Sequence, residues 1–536
     1  MRRSVVGACV GILAALAWFA SPASASSTCC VEHLHFAAGP YVVTPGANLI
    51  LLQYQKVPKP NQDGYMIRVN PNLRYAKRSG GQWVCCGKIP YVSQIHLHHG
   101  VWLSNGLTGE GEGNSYYGGF YPFMAVGEEK TIFSMPRGYG YPVGAHDAWV
   151  LNYMIHNLTP NPHSVYITYD MDFIPASSPL AKTITPVHPI WTDVEAGHLY
   201  PVFNVAQHSG AQGSFTFPDM AHHPYGPQGL APNLNEFKVD HAGTLIGTAG
   251  HLHPGGLWDE LDLIRAGASP RRAAVPGLVR RSVRLFRSYA HYFDHRGPIS
   301  WNMAMGATAR DWRPRVRPGD TLRISTTYNT TRASWYEVMG IMVVWEAWND
   351  RTGVNPFTHR VDQRGHLTHG YYPENNDNGG SYSLGLSYAH YRTCHPKQVV
   401  IKSFFYSPGN VPAFGNQACI PTIRTGRTLE FVNDDASPAP PGAASGGILG
   451  NIISPGPWYT KSIFHSVTSC KNPCGLNSAI SYPLANGAGF DSAQLGPATP
   501  ASGQLTWNTP ATLAPGTYTF YCRIHPWMRG VFRVIG

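Results

Sequence analysis

The chain reads as all-β, built of stacked β-sandwiches. Short alternating apolar and polar segments recur between clusters of Gly, Pro and Asn, and apolar stripes of helical period are hard to find. Charged residues are only 13% of the 536, while Gly, Pro, Tyr and Trp are abundant, which with the short segments argues for sandwiches rather than helix bundles. The length suits about three domains.

The chain opens on Met1-Arg2-Arg3, an apolar run and Ala23-Ser24-Ala25. This pattern predicts a secretory signal over residues 1–25, cleaved after Ala25. The mature protein is therefore expected outside the cytoplasm, secreted, periplasmic or on the cell surface. No later run is long and apolar enough to span a bilayer, so no transmembrane segment is expected. Cys29 lacks a lipobox before it, which argues against a lipid anchor.

Residues 27–180 read as one sandwich and 181–350 as a second. Residues 351–395 are polar, with Asn375-Asn376-Asp377-Asn378-Gly379-Gly380, and read as a linker. A third β domain fills 396–536, with an exposed Pro/Ala/Gly-rich loop from Ser437 to Gly450.

Of ten cysteines, Cys9 leaves with the signal. Cys522 is reserved below for a metal, and eight remain, an even number for an oxidising compartment. Cys29-Cys30 is expected to bridge to Cys85-Cys86, with Cys394–Cys419 and Cys470–Cys474 as further pairs. The formal charge is +10, or +8 without Arg2 and Arg3, and much of the excess falls between Arg265 and Arg287. A solvated loop is the expected reading, with an anionic surface or partner as the alternative. An exported chain without a recognisable binding motif is not expected to bind nucleic acid.

The C-terminal run Tyr521-Cys522-Arg523-Ile524-His525-Pro526-Trp527-Met528 spaces a Cys, a His and a Met three residues apart. One thiolate, two imidazoles and a weak axial thioether make a blue-copper centre. His465 in Phe464-His465-Ser466, 57 residues before Cys522, supplies the second imidazole. Tyr518, Phe520 and Cys522 alternate, so they share one face of a strand. The blander reading is a disulfide cysteine with two surface residues. Residues 396–536 resemble the cupredoxins, with an amicyanin-like Cys-x-x-His-x-x-Met loop, a Phe490-Asp491-Ser492 segment and a Pro515-Gly516-Thr517-Tyr518 lead-in. The resemblance implies a Greek-key β-sandwich holding a type 1 copper at His465, Cys522, His525 and Met528.

Further histidines mark the two earlier sandwiches. His251 and His253 are two apart, so in a strand both rings leave one face. Two imidazoles with a thioether from a neighbouring strand suit a copper that cycles between Cu(I) and Cu(II). In Ile95-His96-Leu97-His98-His99-Gly100, His96 and His98 share a face of a regular strand, whereas His98 and His99 share one only if the strand ends or bulges. His222-His223, before Pro224, reads as a loop.

The order of these segments resembles the copper type II, ascorbate-dependent monooxygenases, the family of peptidylglycine and dopamine monooxygenases. Their fold is two jelly-roll-like β-sandwiches with one copper each. The resemblance implies one copper at His98, His99 and His156, the electron donor, and one at His251, His253 and Met339, the oxygen site. Met339 is preferred to Met342, and Thr327-Tyr328-Asn329-Thr330 matches the strand before the family Met. Gly340 stands where the family often has Cys, its disulfide pattern is not reproduced, and Gly100-Val101 follows His-His in place of Met. A second resemblance, to the plant stress-up-regulated nodulin family, rests on His96-Leu97-His98-His99 and Gly127-Glu128-Glu129. The blander alternatives make His156 a core histidine and His96 a rim residue.

These features imply an exported copper oxidoreductase, a monooxygenase with an attached blue-copper electron-transfer domain. Its partners are a small-molecule reductant or redox protein and an organic substrate that the sequence does not name. The competing readings are a non-catalytic copper-binding stress protein, and a surface interaction module whose only metal lies in the cupredoxin domain.

Overall fold

Alternation in sequence becomes alternation in burial along strands such as Gly256–Ile264 and Thr321–Asn329. Two strands depart from it. Ile95–Ser104 and Trp149–Asn157 are buried at every position, as central strands covered on both faces must be. The computed structural model describes residues 31–47, 50–106, 119–194, 203–217, 235–265, 282–293, 303–370, 387–411, 418–437, 462–470, 474, 487–496 and 504–536. The signal segment, Cys29-Cys30, His222-His223, Arg271-Arg272, Arg280-Arg281 and residues 438–450 lie outside the described residues.

The regular structure among the described residues is all strand apart from one 3-10 turn at Pro179–Thr183. The first layered unit pairs two sheets. One carries Glu32–Val43, His163–Pro175, Gly64–Tyr75, Tyr139–Val143 and Thr185–Pro186, with Phe133–Ser134 beside Gly64–Tyr75. The other carries Ile50–Gln53, Trp149–Asn157, Ile95–Ser104 and Tyr121–Gly127.

The second unit is a continuous hydrogen-bonded path. It runs through His188–Asp193, Ile341–Trp348, Gly243–His251, Met303–Thr308, Ser282–Tyr292, Gly256–Ile264, Thr321–Asn329 and Ser214–Phe217. The path folds over its own apolar core, which includes Phe215, Leu261, Ile324 and Val344. Gly365–Thr368 pairs with Met303–Thr308. The first part of the segment read as a linker is therefore a strand of this unit.

The second unit presents Ile341, Val343 and Trp345 to the first, and these share an apolar cluster with Val101, Trp102 and Met124. Phe133 stacks on Trp345 at 4.2 Å between ring centres. The four-stranded sheet of the first unit is thus covered by its own partner sheet and by the second unit, which explains its two fully buried strands.

Residues 392–535 form a two-sheet sandwich. Arg392–Cys394, Cys419–Arg424, Arg529–Ile535, Gly516–Tyr521 and Thr468–Cys470 make one sheet, and Phe405–Ser407, Gln398–Lys402, Glu430–Asn433 and Thr506–Asn508 the other. Phe431, Phe490, Phe520 and Phe532 pack between them. Cys394 pairs with Cys419 and Cys470 with Cys474, as expected. Cys85 and Cys86 lie just after the short strand Gln82–Val84, and the Cys29-Cys30 pair expected to bridge to them lies outside the described residues.

This third unit docks on the other two. Arg523 and Asp491 form a fully buried ion pair at 3.1 Å. The guanidinium also donates to Ser334 O in the second unit, and Ser334 N donates to Asp491 at 3.1 Å. Ala488 N donates to Arg332 O at 2.6 Å, and Gln207 Nε2 donates to Ala488 O at 2.8 Å.

Candidate metal centres

The strand Gly516–Tyr521 delivers Cys522 to its end, and the strand Arg529–Ile535 returns immediately after Met528. The loop between is closed by Met528 N donating to His525 O at 2.8 Å and Cys522 N donating to Met528 O at 3.2 Å. Three-residue spacing thus folds Cys522, His525 and Met528 into one short turn. His465 is held across from it by a double backbone bridge to Leu495, at 2.8 and 3.0 Å.

His465, Cys522 and His525 bring their donor atoms together, all buried. Cys522 Sγ lies 3.5 Å from His525 Nδ1 and 3.9 Å from His465 Nδ1, and the two Nδ1 atoms are 3.0 Å apart. With metal–sulfur bonds of about 2.3 Å and metal–nitrogen bonds of about 2.05 Å, these separations subtend about 107°, about 127° and about 95°. One ion could be reached by all three donors at once. Met528, buried in the same apolar cluster, is the thioether at hand. The donor set fits copper of the blue type.

The surroundings fix these ligands. Asp435 Oδ2 lies 2.9 Å from His465 Nε2, which leaves Nδ1 for the metal. Ser466 N donates to Cys522 Sγ at 3.3 Å. Burial raises the Cys522 thiol, but the His525 and His465 imidazoles outweigh it and hold the thiol well below its ordinary value. The thiolate is the form that binds metal.

The far edge of His525 meets the first unit. Gly46 sits at φ +65°, and a Cβ there would lie 1.6 Å from His525 Nε2. Gly46 N in turn donates to Asn157 O at 2.9 Å, one residue beyond His156.

His156 belongs to a second group. His96, His98 and His156 bring their donor atoms together, all buried. Strand pairing explains how. Met154 is opposite His99 and Ile155 is opposite Leu97, so His98 is the extra residue of a β-bulge. His96 faces His156 across the ladder, and His98, two residues on, leaves the same face. His98 stacks on His156 at 4.2 Å and 15°. The trio therefore contains His96 in place of His99, and His96 is fully buried rather than a rim residue. His96 Nδ1 lies 2.8 Å from Val92 O, and His98 Nδ1 lies 3.0 Å from Glu128 Oε1.

His251 and His253 approach from the second unit. Their Nε2 atoms are 3.1 Å apart, a separation that two metal–nitrogen bonds of about 2.05 Å span at roughly 100°. The Tyr328 hydroxyl accepts from His253 N at 3.0 Å and donates to Met339 O at 2.7 Å, so one side chain anchors both segments. Met339 lies in the apolar cluster between the units, whereas Met342 lies in the core of the second.

Burial and neighbouring rings push His98 and His156 well below the ordinary imidazole range, and burial takes His96 down to about 3. Neutral imidazole is the ligating form. Burial and the neighbouring Glu129 raise Glu128 well above the usual carboxylate range. Glu129 is opposed by burial, yet His251 holds it below that range.

A cleft of about 830 Å³, including space open to solvent, begins at His251 and Glu129. Met124, Phe133, Ile246, Val343 and Trp345 line it, and Arg310 and His366 also border it.

No known family model matches the chain, and no curated protein sequence matches it. Among solved structures, a Cu-containing nitrite reductase (NirK) from Thermus scotoductus SA-01 is similar at 12% identity, over 56% of this chain, with a TM-score of 0.15. This chain spans 59% of that one. So loose a likeness assigns neither fold nor reaction, and the reading that follows rests on the residues themselves.

Sequence reasoning left His96 without a role, and missed Glu128 and Glu129 as partners of the histidines, Asp435 behind His465, and Gly46 against His525. Period two between His96 and His98 was the available signal for the first. Nothing local marks Gly46.

Proposed function

We propose that this chain is an exported copper oxidoreductase. Its blue-copper centre at His465, Cys522, His525 and Met528 supplies electrons to the histidine centre between the sandwiches, and an organic substrate in the adjoining apolar cleft is hydroxylated. The observation that carries this reading is the contact of His525 with Gly46, whose N–H donates to Asn157 O beside His156. A ligand of one centre thus adjoins the strand that bears a ligand of the other.

Copper, when bound, supplies one-electron redox chemistry at both centres and activation of dioxygen at the second. The residues do the rest. Asp435 orients His465, and Glu128 orients His98. His525, Gly46 and Asn157 give a short path through one packing contact and one hydrogen bond. The cleft walls hold an apolar substrate near His251 and limit water there. The reaction balances as RH + O2 + 2 electrons + 2 protons giving ROH + H2O. The electrons come from a small-molecule reductant or redox protein.

Storage or delivery of copper is the competing reading, favoured by the burial of His96, His98, His99 and His156. Dioxygen uptake by the copper-loaded chain with ascorbate separates the two. Sustained uptake lost in Cys522→Ser supports the oxidoreductase. A fully loaded chain that consumes no dioxygen with a reductant refutes it.

A further inference from the structure

We infer that the histidines of both sandwiches hold one dinuclear copper centre, with Glu128 and Glu129 as its carboxylate partners, rather than one copper in each sandwich. This concerns how metal is held, and it stands whether or not the chain oxygenates a substrate.

The ligand rings of the two units are in contact. His98 of the first unit stacks on His156 at 4.2 Å and meets His253 of the second edge-on at 4.0 Å between ring centres. His253 Nε2 lies 3.1 Å from His251 Nε2. His251 is itself pressed against the first unit, because a Cβ on Gly127 would lie 2.3 Å from His251 Cε1 and 2.5 Å from Glu129 Oε2. A side chain at position 127 would force His251 and the first unit apart.

The carboxylates join the two ligand sets. Glu128 Oε1 is 3.0 Å from His98 Nδ1 and 3.8 Å from His96 Nε2. Glu129, the next residue, has Oε1 3.6 Å from His251 Nδ1. Glu128 Oε2, Glu129 Oε2 and His98 Nε2 are buried with no hydrogen-bond partner among the described residues. Two adjacent buried carboxylates with spare oxygens are costly unless a cation meets them. His96, His98, His99, His156, His251, His253, Glu128 and Glu129 are each at most 8% exposed. They offer enough donors for two ions of about four ligands each.

The test is a copper count and an electron paramagnetic resonance spin count on the oxidised full-length chain loaded with copper. A coupled pair predicts three coppers per chain but one visible spin, that of the blue centre. His253→Gln should lower the count to one copper, because ions joined through Glu128 and Glu129 are held together and loss of one unsettles the other, with the blue absorption unchanged as evidence of folding. Three visible spins, or a folded His253→Gln chain that keeps two coppers, would overturn the inference. The wild-type spin count decides the matter even where a variant misfolds. An empty blue site would sink the proposed electron donor, and the coupled pair would then show two coppers and no visible spin.

Discussion

Gly46→Ala perturbs the contact between the blue site and the first sandwich at a single atom. The added Cβ would stand 1.6 Å from His525 Nε2 and 2.4 Å from Cδ2. Ordinary contact between such atoms is about 3.5 Å, so the ring and Gly46 must part by roughly 2 Å. The φ of +65° adds about 1–2 kcal/mol of backbone cost for a non-glycine residue. The ring is tied to the ligand set at 3.0 Å from His465 Nδ1, so either the blue centre distorts or the third unit lifts from the first. Misplacement by an ångström slows positioned reactions about 100-fold, and a loss of at least that size is expected in electron delivery to the histidine centre. The assay pairs the visible spectrum with dioxygen uptake under ascorbate and a denaturant midpoint. A changed spectrum reports distortion, and an unchanged spectrum with slow uptake reports undocking. A Gly46→Ala chain with wild-type spectrum, uptake and stability would refute the docking described here.

Arg523→Ala strands the buried Asp491 carboxylate and removes the bond to Ser334 O. A loss of roughly 3–5 kcal/mol is expected in chemical denaturation, and Arg523→Met with Asp491→Asn should recover much of it. Asp435→Asn removes the partner that orients His465 and should weaken copper binding at the blue site by about 10–100-fold, read by competition with a chelator. In the metal-free protein burial lowers the His465 pKa, but its bonds to Asp435 and Cys522 outweigh this and raise it overall. Burial likewise opposes, and His465 outweighs, the shift that lowers Asp435. The contact therefore stabilises the fold between those two folded-state values. It fades as pH rises through that of His465 and as pH falls through that of Asp435, and the asparagine variant should lack the acid-side slope and keep only a weaker alkaline-side one, from Cys522, in a pH series of denaturation midpoints. Met339→Leu should lower Cu(I) affinity of the histidine centre with less than about 1.5 kcal/mol of stability lost. Met342→Leu, in the core of the second unit, should leave the affinity unchanged.

What sequence conveyed was local. Cys522, His525 and Met528 lie in one short turn, so their spacing alone suffices to gather them, and the alternation leading to Cys522 points it into the core. His251-x-His253 was legible for a similar reason: His251 ends the strand Gly243–His251, His253 lies just past it, and so short a separation keeps their Nε2 atoms within 3.1 Å. His98 and His99 were harder. Their facing depends on a bulge set by the partner strand Trp149–Asn157, and no residue within Ile95–Gly100 announces it. Gly365–Thr368 read as linker because a short polar strand that adds to an exposed edge carries little apolar pattern. Contacts between units, such as Gly46 with His525 and Glu128 with His98, join residues far apart in the chain. Only the packing of the sandwiches brings them together.

Internal electron delivery is the central claim, and stopped-flow reduction of the oxidised, copper-loaded full-length chain tests it most directly. A one-electron donor should bleach the blue centre, and reduction of the histidine centre should follow as a first-order step independent of protein concentration. That independence is what a docked and tethered donor gives. In Cys522→Ser the second step should slow by at least tenfold while the histidine centre keeps its copper. Reduction of the histidine centre at the same rate in Cys522→Ser, or at a rate that rises with protein concentration, would contradict the account.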